Sequence, residues 1–172
     1  LDAKSSDFHD TELAELDFAH QGVVVGGARL TGKLDVADID KNNKTIFVTD
    51  YKTGKPSHSW KGISDYEKIK LHKYRQQLMF YELLCANSRD YARYKFAGAV
   101  LQFVELDSRG DICQLDDRFS RDELAAFQRL IAAVWHCITT LELPDISSYQ
   151  ANYRGMIQFE KDLISSEYPA RE

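Results

Sequence analysis

With 172 residues, 44% hydrophobic and 28% charged, the chain has the length of one domain and a composition that excludes a disordered tail. No apolar run approaches the ~18 residues that span a bilayer, and no charged-then-apolar leader opens the sequence, so no membrane partner is expected. A net charge of −5 excludes a surface that grips nucleic acid everywhere.

Residues 1–14 are polar and weakly patterned, a tail or remnant helix before a core expected over 15–142 and a C-terminal extension over 143–172. Together these make a single domain. β-branched and apolar residues from Glu15 to Val25 predict a strand ended by Gly26-Gly27. Two more strands, 28–40 and 45–52, flank Lys41-Asn42-Asn43-Lys44, a hairpin signal because Asn tolerates the positive φ of tight turns. After a loop with Gly54, Pro56 and Gly62, Ser64 is placed to cap a helix running to Asn87. Residues 94–107 are the most apolar strand, with 111–116 as its hairpin partner. Ser120 and Glu123 have capping-box spacing, opening a helix that Pro144 stops, and 154–165 form a last amphipathic helix. In the helix before Pro144, Trp135 is expected in the core. The order predicts an α/β domain with a mixed sheet of about five strands flanked by helices.

Cys85, Cys113 and Cys137 show no CxxC or Cys/His ligand spacing, so neither zinc nor an iron–sulfur cluster is expected. Between Lys52 and Arg75, seven Lys or Arg face only Asp65 and Glu67. One basic segment therefore sits on an acidic body.

A hairpin centred between Asn42 and Asn43 pairs Ala37 with Val48 and sets Asp35 opposite Asp50, with Lys33 and Lys52 beyond them. Like charges opposed in a ladder destabilise it. At ~4 Å two carboxylates repel by roughly 4 kcal/mol at an effective dielectric near 20. A divalent cation offsets such a pair, and a neighbouring lysine polarises water and stabilises developing negative charge, which is the equipment of phosphodiester hydrolysis. Ion pairing of both aspartates with Lys33 and Lys52 at the surface is the other reading of this arithmetic.

The string Leu30-Thr31-Gly32-Lys33-Leu34-Asp35, then fourteen residues, then Asp50-Tyr51-Lys52-Thr53-Gly54, resembles the core of RecB-type nucleases of the PD-(D/E)XK superfamily. Gln77 and Tyr81, four apart on the helix, resemble the third motif. The resemblance spans roughly 15–142 and implies a restriction-endonuclease-like core. It further implies that Asp35, Asp50 and the Tyr51 backbone carbonyl bind Mg²⁺ or Mn²⁺, that Lys52 is catalytic, and that Gln77 and Tyr81 position metal ligands or DNA. Lys70, Tyr74, Gln77 and Tyr81 fall on one helix face. Lys55, Trp60, Lys61, Lys70, Lys73 and Tyr74 are expected to contact DNA, with Trp60 and Tyr66 either stacking a base or anchoring the loop against the sheet. The family's upstream metal-binding His or acid is not matched by His9 or His20; Glu12 on a short N-terminal helix is the candidate within the sequence, and a helix upstream of Leu1 in a longer protein is the reading expected.

The resemblance implies a DNA nuclease, more exonuclease than endonuclease, acting in repair or recombination beside a UvrD/Rep-like helicase motor in the bacterial cytoplasm, at the nucleoid. A catalytically inactive DNA-binding or helicase-docking relative is the second reading, motivated by the unmatched upstream ligand.

Overall fold

A computed structural model describes residues 12–165. A five-stranded sheet has the order β1-β4-β5-β6-β7, from β1 (Glu12–Asp17), β4 (Lys33–Asp40), β5 (Thr45–Lys52), β6 (Lys95–Leu106) and β7 (Ile112–Asp117). It is mixed because β5 and β6 run parallel while the other neighbours are antiparallel. The parallel pair requires a crossover, supplied by α1 (Asp65–Ala86). β2 (Val24–Val25) and β3 (Ala28–Arg29) form a separate ribbon, and α2 (Arg121–Thr140) and α3 (Tyr153–Ser165) complete the layer. The architecture is the restriction-endonuclease-like α/β fold.

The strand expected over 15–25 is divided. Sheet pairing begins at Glu12, ends at Asp17, and gives way to a turn in which His20 is exposed; Glu12 is therefore a strand residue, not part of a helix. His9 lies outside the described residues. The 28–40 strand is likewise cut between Arg29 and Lys33. Gly26, at φ +56°, makes the turn of the small ribbon, where a Cβ would stand 2.5 Å from that of Ala132 on α2.

Both long helices start on reciprocal capping boxes, Ser64 with Glu67 and Ser120 with Glu123. Each box satisfies two of the amide donors that a helix start leaves open. The core joins Phe18, Leu34, Ile46, Val48, Leu101 and Phe103 of the sheet region to Leu78 and Leu84 of α1. α1 also meets α2 and α3, which pack on each other. Trp135 does not enter this core. At 38% exposed it borders an apolar groove of about 530 Å³ between α2, α3 and the ribbon. Among the described residues no helix is long and apolar enough to cross a membrane.

Candidate active site

β5 alternates strictly, with Ile46, Val48 and Asp50 forming its buried row. Period-2 geometry thus drives a carboxylate to the position where a third apolar residue would sit. Asp50 is 1% exposed. A buried carboxylate without partners is prohibitively costly, so its surroundings must supply donors and positive charge.

They do so through a closed ring of side chains. Tyr81 donates its hydroxyl to Asp50 Oδ1 at 2.6 Å, and Gln77 Nε2 donates to the Tyr81 oxygen at 2.6 Å. Lys52 Nζ donates to Gln77 Oε1 at 2.6 Å and stands 2.5 Å from Asp50 Oδ2. This last contact is an ion pair that closes the ring. The helical spacing of Gln77 and Tyr81 puts both on the α1 face that meets the end of β5. Tyr74 extends that face, its ring centroid 4.8 Å from Lys52 Nζ, a cation–π distance. Lys70 follows, 5.9 Å from the same ring and bonded through Nζ to the Lys55 carbonyl at 3.3 Å.

The hairpin register agrees with the sequence arithmetic from Asp40–Thr45 to Val36–Thr49, then stops one step before Asp35 and Asp50. On the other side, β1 pairs with β4 at Ala14–Val36 and Leu16–Leu34, with Glu15 between them at φ +54°. Asp35 therefore sits where both ladders are interrupted. Its Oδ2 accepts the Tyr51 amide at 2.9 Å, so a side chain takes the role of a ladder carbonyl and holds Tyr51 beside Asp50. Lys33 is not part of the site: it is exposed and 3.7 Å from Asp17.

Burial first, then the bond to Asp50 and the charges of Asp50 and Asp35, push the Tyr81 phenol far above its ordinary value. It is consequently a fixed hydrogen-bond donor, not an acid or base. Burial also raises the Tyr74 phenol, with smaller contributions from Asp50 and Tyr66.

The basic segment is less free than its count suggests. Lys52 serves Asp50, and Arg75 is held by Asp117 at 2.6 Å and Glu123 at 2.7 Å. Lys55, Lys61 and Lys73 are exposed. Trp60 packs against the core and donates its indole N–H to the Asp116 carbonyl at 2.9 Å, which makes it an anchor for the loop. Tyr66, 76% exposed, is the open aromatic of this region. A further group, His58, Asp107 and Cys113, lies outside the ring, and no sequence spacing announces it.

As a hard, oxygen-only donor set, Asp35 and Asp50 suit a Mg²⁺-class cation. No curated protein and no solved structure matches the chain. The family model of the PD-(D/E)XK nuclease superfamily matches residues 2–152, covering both carboxylates, the lysine and the helix that completes the ring. On that match, together with the mixed-sheet fold, the chain belongs to the PD-(D/E)XK nuclease superfamily, whose chemistry is metal-dependent nucleic-acid cleavage.

Proposed function

We propose that the chain is a DNA nuclease of the RecB type, using Mg²⁺ or Mn²⁺ and degrading DNA from its ends beside a UvrD/Rep-like helicase motor. The observation that carries this reading is the ring of Asp50, Lys52, Gln77 and Tyr81 with Asp35 at its edge. A structural ion pair needs neither a second carboxylate nor two polar helix residues arranged around it.

In this reading Asp35, Asp50 and the Tyr51 carbonyl hold the cation. When bound, the cation polarises the phosphate and makes a hydroxide available near neutral pH. Lys52 keeps an ammonium against the site, restrained by Gln77 and by the Tyr74 ring, and neutralises charge that grows on the phosphate. Tyr81 and Gln77 orient Asp50 and Lys52 without exchanging protons. The exposed Lys55, Lys61 and Lys73, with Lys70, guide the backbone of the substrate, and Tyr66 offers a face for a base. The acidic remainder of the chain supports a partner motor that supplies most of the DNA affinity.

The test is Mg²⁺-dependent release of nucleotides from linear DNA, with a covalently closed circle of the same sequence as control. Activity on the linear substrate, lost in Asp50→Ala and Lys52→Ala, is expected. Cleavage that survives either substitution would overturn the assignment, and equal cutting of the circle would make the enzyme an endonuclease. Calorimetric titration of Mg²⁺ and Mn²⁺ should show saturable binding that disappears in Asp35→Ala/Asp50→Ala.

A further inference from the structure

The segment between Lys52 and Ser64 joins the two halves of the ring and is tied to β6 and β7 at its two ends. The Gly54 amide donates to Glu105 Oε1 at 2.9 Å, and Trp60 donates to the Asp116 carbonyl. Between these ties, His58 stands against two residues flanking the β6–β7 turn. Its Nδ1 is 3.4 Å from Cys113 Sγ and its Nε2 is 3.7 Å from Asp107 Oδ2. One ligand atom from each of the three residues lies within 4.8 Å of the others.

The donors are prepared to different degrees. Asp107 Oδ1 accepts the amides of Arg109 at 2.8 Å and Asp111 at 2.9 Å, which fixes the carboxylate and leaves Oδ2 toward His58. Cys113 belongs to the buried row of β7 and reaches a surface cavity of about 570 Å³ that Asp111 and Gln114 also line. The His58 side chain is 68% exposed and free to turn either ring nitrogen inward.

We propose that His58, Asp107 and Cys113 form a site for a thiophilic divalent cation of the zinc class, separate from the carboxylate pair. A nitrogen, an oxygen and a sulfur donor make a borderline set that Mg²⁺ and Ca²⁺ do not use and Zn²⁺ does. Metal–ligand bonds of about 2.0–2.3 Å require donor atoms roughly 3.3–3.8 Å apart in a tetrahedron, so the three donors draw together from the 4.8 Å within which they lie. Three protein donors leave a position for water. Burial, Asp107 and Asp111 together raise the Cys113 thiol, so in the absence of metal it keeps its proton. The cation displaces that proton, and binding strengthens as pH rises. Bound metal would pin the loop carrying Lys55 and Lys61 at a third point.

The inference stands apart from the nuclease assignment and is tested separately. Co²⁺ is titrated into the reduced, chelator-stripped chain while near-ultraviolet absorption is followed for a thiolate-to-cobalt band. One equivalent should saturate the band, Zn²⁺ should abolish it, and excess Mg²⁺ should not. It should persist in Asp35→Ala/Asp50→Ala and vanish in Cys113→Ser. His58→Ala, a change at a side chain 68% exposed, should weaken affinity by at least the ~10-fold that losing even an outer-shell partner costs. Absence of the band in the wild-type chain, its survival in Cys113→Ser, or unchanged affinity in His58→Ala would overturn the proposal.

Discussion

Replacing Lys52 by Met tests whether the ring is held together by charge. Asp50 is 1% exposed, and the Lys52 side chain is 14% exposed and takes no other ion-pair partner among the described residues. Removing one member of a buried pair strands the other, at ~3–5 kcal/mol. The partial exposure of Lys52 favours the lower end, about 3 kcal/mol. For a domain of this size each kcal/mol moves Tm by about 2–4 °C, so Lys52→Met should melt about 6–12 °C below wild type in EDTA. A divalent cation at ~100 times its Kd returns about 2.7 kcal/mol. The return should be larger in the variant than in wild type, because the cation there replaces a missing charge instead of sharing the carboxylate with an ammonium. Asp50→Asn/Lys52→Met, which removes both charges, should recover most of the loss and ignore Mg²⁺. Thermal melts of all three proteins with and without Mg²⁺ decide the matter. A single variant within ~1 °C of wild type in EDTA, or a double variant as unstable as the single one, would refute the reasoning.

Tyr81→Phe removes a bond to a buried carboxylate worth ~1.5–3 kcal/mol, and cleavage should slow roughly 10- to 100-fold. Because burial and Asp50 keep the phenol protonated, the loss should be the same size from pH 6 to 9; a loss that grows or shrinks across that range counts against Tyr81 as a fixed donor. Burial pushes the Glu82 carboxyl from 4.5 up to about 7. Between those values the folded chain holds a proton that the unfolded chain has released, so Glu82 becomes increasingly unfavourable as pH rises through the window and stays so above it. Glu82→Gln should therefore stabilise by up to ~3 kcal/mol at pH 8 and by almost nothing at pH 4; urea titrations giving equal gains at both would exclude this cause. Ser120→Ala breaks the α2 capping box and should cost about 1 kcal/mol, or about 2–4 °C in a melt. An unchanged Tm would mean that the box does not hold the helix start.

Where local chemistry decides the structure, the sequence was readable. Ser-x-x-Glu marked the start of α2, Ser64 that of α1, and the Asn pair with alternating Ile46 and Val48 fixed the hairpin register. Register did not carry through to the carboxylates, because Asp35 bonds the Tyr51 amide and interrupts the ladder, a competition between side chain and backbone that alternation does not encode. The strand expected over 15–25 is broken because the chain turns after Asp17 and takes a positive φ at Gly22, so only Val24–Val25 resume pairing, in the small ribbon. Composition left Trp60 open between stacking a base and anchoring the loop, because the carbonyl that decides for anchoring belongs to Asp116, distant in sequence. Trp135 was expected inside on hydrophobicity alone, yet it borders a groove. The grouping of His58, Asp107 and Cys113 is likewise tertiary: a hairpin brings two of them together and a loop adds the third.

The ring at the end of β5 also has a polarity. A carboxylate accepts and an ammonium donates, so the Gln77 amide must turn its oxygen to Lys52 and its nitrogen to Tyr81, whose proton then points at Asp50. Only one pattern of protons satisfies every contact. Turning the Gln77 amide over would set its nitrogen against the Lys52 ammonium, donor against donor. The seating of α1 on the sheet is thus read out by one amide, whose orientation follows the two charges on the strand it covers.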